Sequence, residues 1–284
     1  MKKVLYILVM LLFVALFCYS AWQLIDYFYQ GWETQSGYDK LAQQVQEARP
    51  EEDPTAPTID WSLFEGLTPE EIVQMPDNPY ITVQHPETGA YGVMLPEFEE
   101  LYLTNPDVVG WIRIPDTMID YPVVQRRDKV DYYLYRDFYG VQRVRGCIYV
   151  REACDVFKPS DNLVIYGHMM QDGTMFYDLS RYTQKDYWES HRYLHFDSLL
   201  RRQKYEIVYV FKTTASVGEG FAYHLFNDAE SVEDYLAFRE GCEENRLYDT
   251  GLSIQPGDKL ITLSTCEYTR VNGRLVVVAR LIEE

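Results

Sequence analysis

Asp258 Lys259 Leu260 Ile261 Thr262 Leu263 Ser264 Thr265 Cys266, with Arg274 Leu275 Val276 Val277 Val278 Ala279 Arg280 shortly after, is the stretch that decides the fold. Both segments are apolar and rich in β-branched residues, and each is short enough to be a strand rather than a helix. The first ends on a cysteine and the second opens on an arginine. If the two pair antiparallel, Glu267 to Gly273 is a hairpin connection and Arg274 comes close to Cys266. Similar runs recur upstream between turn residues: Gly110 to Ile114, Ile119 to Val124, Gly146 to Val150, Leu163 to Tyr166, Tyr193 to Phe196 and Tyr205 to Thr214. With Lys259 to Ser264 and Leu275 to Leu281 they make eight strands. Eight strands at this spacing suggest a closed barrel, which leaves no exposed edge. The fold class is therefore mainly β with helical additions.

Two helical interruptions are predicted inside this region. One covers Met175 to Tyr187. The other covers Ser231 to Asn245, where Val232, Tyr235, Leu236 and Phe238 share a face opposite Glu and Asp residues. Before the first strand, Glu97 to Leu103 reads as a helix that stops ahead of Pro106. Farther upstream, Thr68 is an N-cap for a short helix, with Pro69 in the first turn and Glu71 closing a capping box. The stretch Arg49 to Pro57, with its three prolines, is a linker by composition. Residues 26–48 read as an amphipathic helix that prolongs what precedes it.

What precedes it is apolar. Val4 to Ile25 contains no charged side chain, and a helix of that length can span a bilayer core. Lys2 and Lys3 flank it on one side and Asp26 on the other, so the positive-inside rule places the N-terminus in the cytoplasm and the rest outside. A cleaved signal peptide is the rival reading, because Cys18, Tyr19 and Ser20 offer a small-x-small site. Apolar residues continue past it through Trp22, Leu24 and Ile25, which favours an uncleaved anchor. The expected organisation is a membrane anchor over residues 1–25, a juxtamembrane helix, linker and helical appendage over 26–107, and a catalytic barrel over 108–284.

The chain has 284 residues, and its formal net charge of −18 opposes nucleic-acid binding. Aromatic residues make up 15% of it, which argues against disorder. Among the five cysteines no C-x-x-C pair occurs, so a structural zinc site is not expected. A Cys147–Cys154 disulfide is compatible with an oxidising compartment. Cys147, inside a strand-like run, reads first as a small buried hydrophobe.

Cys266 differs because a thiol at a strand end can project into a cleft while the strand fixes it. Such a thiol becomes nucleophilic beside a base or a positive charge. His168, just past Leu163 Val164 Ile165 Tyr166 Gly167, is the candidate base, and Arg274 the candidate charge. Each alone has an ordinary structural reading: a packed cysteine, a solvated loop histidine, a surface arginine at a strand start. His85, His191, His195 and His224 lie in no comparable setting.

Taken together, these residues resemble a known family. Leu263 Ser264 Thr265 Cys266 followed by Arg274 at the head of an apolar strand looks like the sortase signature, and Tyr166 Gly167 His168 looks like its histidine motif. Val109 Gly110 Trp111 Ile112 Arg113 Ile114 Pro115, Ile119 Asp120 Tyr121 Pro122 Val123 Val124 Gln125 and Gly173 Thr174 Met175 Phe176 are similar to class B members. The resemblance covers about residues 97–284 and implies an eight-stranded sortase-type barrel, with N-terminal helices and a helix inserted between late strands. It also implies roles: Cys266 as nucleophile, His168 as acid/base and Arg274 as stabiliser of the substrate carbonyl. Tyr166, Ser264, Thr265 and Glu267 fall at substrate-groove positions. Two positions depart from the family pattern. Met169 stands where Asn is usual, and Tyr268 stands where some relatives carry an acid.

The implied activity is a cysteine transpeptidase that cleaves a C-terminal sorting motif of secreted proteins after Thr. It would pass the acyl group to an amine of peptidoglycan precursor, with no metal or cofactor. A pilin-polymerising sortase and a papain-like cell-wall cysteine hydrolase are the alternatives, and a non-enzymatic binding barrel is a third. In the hydrolase the cysteine usually precedes the histidine and starts a helix, the reverse of the order here. The pilin-polymerising class would carry an Asp-Pro-aromatic lid, which Asp53, Pro54 and Thr55 do not match.

Overall fold

The computed structural model describes residues 2–49, 82–84, 91–216, 218–269 and 271–283. The expected linker after Arg49, the short helix from Thr68 and His85 lie outside the described residues.

The hairpin forms as its sequence predicts. Strands β9 (Leu260–Glu267) and β10 (Gly273–Glu283) pair antiparallel, and the strand pattern runs a little farther into the connection than expected. Asn272 sits in the left-handed region at φ 51°, a conformation that Asn tolerates better than most side chains. The barrel's other strands are β3 (Val108–Arg113), β4 (Asp120–Val124), β5 (Ile148–Val150), β6 (Asn162–Tyr166), β7 (Tyr193–Ser198) and β8 (Lys204–Thr214). Their order around the closed barrel is β10-β8-β7-β3-β4-β5-β6-β9. All eight predicted strands are present. Two pairs, β4 with β5 and β6 with β9, are parallel. Ile112, Ile165, Phe196, Ile207 and Val277 are fully buried in the hydrophobic core, and burying each such side chain contributes about 1.5–3 kcal/mol.

Before the barrel come a helix α1 (Lys2–Ala48), a ribbon of β1 (Thr82–Gln84) and β2 (Tyr91–Val93), and α2 (Glu99–Thr104) after a 3-10 turn. The ribbon is absent from the sequence reading, which expected only helices in the appendage. The helix α1 passes without a break through residue 25. Beyond that point it buries Gly31, Thr34, Tyr38, Leu41 and Val45, the three- and four-residue spacing of one helical face.

The first predicted interruption resolves into a 3-10 helix (Tyr177–Thr183) and α3 (Lys185–Ser190). The second is α4 (Val232–Asn245), capped by Ser231 accepting from the Asp234 amide. Its buried residues are Tyr235, Phe238 and Cys242, while Val232 is exposed. The predicted face is thus shifted, because the helix packs its middle and end on the barrel and leaves its first turn in solvent. Cys147 and Cys154 are free and buried, with no disulfide between them. Desolvation pushes Cys147 up to about 12 and Cys154 up to about 11, so both stay protonated.

Asn162 ties the parallel pair together at its start. It is fully buried, accepts from the Thr262 hydroxyl at 2.7 Å and donates to the Phe226 carbonyl at 2.8 Å. Replacing Asn162→Ala strands both partners away from water, at about 1–3 kcal/mol for each buried group left unpaired. Urea denaturation should therefore show a lower midpoint for N162A at an unchanged slope. An unaltered midpoint would mean that the Asn162 bonds contribute nothing to stability.

Candidate active site

The parallel strands β6 and β9 end side by side, with Tyr166 opposite Ser264. Two residues on, β9 presents Cys266, whose antiparallel partner on β10 is Arg274. Directly opposed residues of an antiparallel pair project to the same face. Cys266 and Arg274 therefore share a face because of register alone. The β6 chain continues past Tyr166 into His168, and all three residues line one cavity of about 230 Å³ together with Tyr166, Leu134 and Tyr223. The proximity of Arg274 to Cys266 expected from the hairpin is observed.

His168 is fixed from several sides. Its Nε2 lies 2.7 Å from the Leu134 carbonyl oxygen, and the Tyr135 ring packs 5.4 Å away between centroids. Its own carbonyl accepts from the Phe176 amide at 2.9 Å. A carbonyl only accepts, so Nε2 carries a proton and, in the neutral ring, Nδ1 keeps the lone pair. Burial disfavours the charged ring and lowers its pKa below the ordinary 6.5. The Leu134 bond opposes this, and the Arg274 charge adds to the lowering. His168 is therefore neutral at pH 7. Gly167 makes the close approach possible, since a Cβ there would press into Ile148 and the Phe176 ring.

Arg274 donates from Nη1 to the carbonyl oxygen of Gly273 at 2.9 Å. Among the described residues no carboxylate pairs with it, so its remaining donors can meet a ligand oxygen. Cys266 is half-buried, unlike Cys147, Cys154 and Cys242. A nucleophile needs this access, and the inert cysteines lack it.

The four groove candidates divide. Tyr166 lines the cavity and packs on Tyr149 at 5.4 Å. Ser264 lines it too, but its hydroxyl is held by the Tyr223 hydroxyl at 2.6 Å. Thr265 borders it, and its buried hydroxyl has no hydrogen-bond partner among the described residues. Glu267 does not line the cavity. It alternates to the other face from Cys266 and ion-pairs with Lys212 at 2.9 Å.

The sequence reading missed Asp131, Leu134, Tyr223 and His224, all at the cavity wall. His224, set aside earlier, reaches the rim from a 3-10 turn (Tyr223–Leu225). Only the Tyr-His pair itself could have hinted at this, since the contact spans some forty residues of chain. No group of three His, Cys, Asp or Glu side chains suited to a metal is found among the described residues.

The comparisons with known proteins agree with this geometry. The Sortase domain family matches residues 112–282. Sortase B of Staphylococcus aureus (strain NCTC 8325 / PS 47) is 31% identical over 190 residues, covering 66% of this chain and 75% of that protein. Sortase B of Listeria monocytogenes serovar 1/2a is 31% identical over 197 residues, covering 69% and 78%. Among solved structures, the Staphylococcus aureus sortase B–substrate complex superposes with a TM-score of 0.68 at 25% identity, covering 90% of this chain and 99% of that one. Sortase B from B. anthracis in complex with AAEK1 gives 0.65 at 28% identity, covering 90% and 100%. With its barrel, its Cys-Arg register and its matched length, the chain belongs to the sortase family of transpeptidases and resembles its class B members.

Proposed function

We propose that this chain is a membrane-anchored cysteine transpeptidase that cleaves a C-terminal sorting motif of secreted proteins after Thr. The acyl group would pass to an amine of peptidoglycan precursor. The observation that carries the reading is the pairing of Cys266 with Arg274 on one strand face, with His168 on the same cavity. Residues 1–25 serve as the anchor with the N-terminus in the cytoplasm, 26–107 as the appendage, and 108–284 as the external catalytic domain. Support for the anchor is an apolar helix long enough to cross a bilayer.

In the first step the Cys266 thiol passes its proton to Nδ1 of His168 as its sulfur attacks the carbonyl carbon after Thr, and Arg274 donates to the oxygen as negative charge grows there. His168 gives a proton to the leaving amine nitrogen, the C–N bond breaks, and a thioester to Cys266 remains. In the second step an incoming amine attacks the thioester carbon and loses its proton to His168. The C–S bond breaks, the sulfur takes that proton back from His168, and the new amide leaves. Tyr166, Ser264 and Thr265 border the path of the substrate. Glu267, held by Lys212, would shape the groove only through the position of the hairpin.

Cys266→Ala should abolish peptide cleavage with its fold retained. Cys147→Ala and Cys154→Ala should keep most of the activity, as read by mass spectrometry of a peptide library. Adding stem-peptide amines should give a ligated product. Hydrolysis alone across a broad amine panel would instead favour the cysteine-hydrolase alternative.

Arg274→Lys separates charge from geometry. An oriented planar donor is not replaced by a point charge on a flexible stem. Both Arg274→Lys and Arg274→Ala should lose about 100- to 1000-fold in the chemical step, measured by single-turnover kinetics. Near-normal turnover by the Lys variant would reduce Arg274 to a source of positive charge.

The imidazole of His168 should titrate below 6.5 by NMR. Arg274→Gln should raise the midpoint by removing one repelling charge, yet leave it below 6.5 because desolvation, the larger cause, persists. A native midpoint at or above 6.5 would contradict the neutral histidine.

A further inference from the structure

The helix α1 crosses from one end of the barrel to the other. At Gly31 it touches the end that carries the site: a Cβ on Gly31 would collide with the Arg145 guanidinium. Arg145 in turn holds Asp172 and Thr174 in the loop after His168. At Arg49 the helix pairs with Asp197 at 2.5 Å. Asp197 lies near the closing end of β7, toward Lys204 and its β10 partner Glu283 at the opposite end of the barrel. Between Gly31 and Arg49 the helix rises about 27 Å, enough to traverse the barrel. The end carrying Cys266, His168 and Arg274 therefore faces back toward the apolar half of α1.

The separation is small. Tyr27, Val144 and Met170 line one crevice, and Tyr27 is two residues, or about 3 Å of rise, beyond Ile25. The surface at this level is apolar and open: Phe28 is 61% exposed, Trp32 66%, Tyr139 56% and Val144 52%. Tyr and Trp are the side chains that favour the headgroup layer, with an apolar body and a polar tip. The connection between β4 and β5 that carries Tyr139 and Val144 holds six basic and three acidic residues, in a chain of net charge −18. Arg143 and Arg145 are paired with Glu33 and Asp172, so the patch meets a bilayer through its aromatic and apolar side chains rather than through net charge.

We propose that the first turns of α1 beyond its apolar run, with Tyr139 to Val144, form a lipid-docking surface. It seats the barrel on the outer leaflet with the mouth of the active site at headgroup level. The inference rests on the membrane-anchor reading given above. The occupant is the bilayer interface, because the patch begins two residues beyond the apolar run of α1 and exposes Tyr and Trp side chains that favour that layer.

Spin labels placed in the full chain in anionic-lipid nanodiscs test this. Cys18→Ala and Cys266→Ser remove the accessible native thiols. Single cysteines are then introduced as Val144→Cys, Val141→Cys, Lys158→Cys at the far end of the barrel, and Leu12→Cys within the apolar run. Oxygen and a water-soluble nickel chelate report depth. The expected result is headgroup depth at 144 and 141, an aqueous position at 158 and a hydrocarbon depth at 12. Aqueous readings at both 144 and 141 with a hydrocarbon reading at 12 would overturn the docking and leave the anchor standing. An aqueous reading at 12 as well would remove the anchor and the docking together.

Discussion

The antiparallel register of β9 and β10 is the constraint on which the rest of the site depends. Residues opposite one another on such a pair share a face, and a slip of one residue sends a side chain to the other. Cys266 and Arg274 are opposite, so the proposed nucleophile and the proposed donor are brought to one cavity by register alone. The register is pinned from both sides. On β10 it is fixed again by pairing with β8, and on β9 by parallel pairing with β6. The β6 pairing brings Tyr166 level with Ser264, and the chain needs only Gly167 to deliver His168 to the same cavity.

Closure of the barrel explains why so much of this was legible in the residues. A strand buried on both faces is apolar along most of its length, and runs such as Leu163 to Ile165 and Leu275 to Ala279 carry that signature. The hairpin needs only a short connection, so its partner assignment is local. Asp131, Leu134, Tyr223 and His224 were not legible, since each reaches the cavity from a separate loop and loop positions carry no periodicity. The ribbon of β1 and β2 was missed for a related reason. Three residues per strand give too short a run for alternation to stand out. The reading of Val232 as a packed residue failed because helical spacing defines a face but not which turn of it meets the barrel. Glu267 follows Cys266 in sequence, yet alternation turns it toward Lys212.

The electrostatics of the site run against those of the whole chain. A surface of net charge −18 surrounds a cavity whose one guanidinium, Arg274, has no carboxylate partner among the described residues. A salt bridge there would occupy the donors that the proposed role of Arg274 leaves for a substrate oxygen. The neutral state of His168 follows from the same arrangement, since burial and the nearby guanidinium both disfavour a second positive charge. A neutral imidazole with its Nε2 proton committed to Leu134 presents a single basic nitrogen, Nδ1. In the proposed mechanism only that edge of the ring can exchange a proton, and the Leu134 carbonyl is part of how the histidine is oriented.

The supports of the histidine loop lead back to α1. Tyr121 accepts a hydrogen bond from the Met175 amide at 2.9 Å and donates to Gln35 of α1 at 3.3 Å. Met175 itself sits at φ 60°, an uncommon conformation for its side chain. Tyr38 of α1 donates to the Gly146 carbonyl at 2.6 Å, next to Arg145, which grips Asp172 and Thr174. One helix thus touches two elements that bear on the turn between His168 and Phe176, β4 at Tyr121 and the β4–β5 connection at Arg145 and Gly146. An appendage that served only as a tether would need no such contacts. Because Gly31 lets α1 lie against Arg145, any tilt of the helix would press on the guanidinium and, through Asp172, on the loop that carries His168. The same rigid helix that crosses from the apolar run to the barrel therefore belongs to the framework of the site.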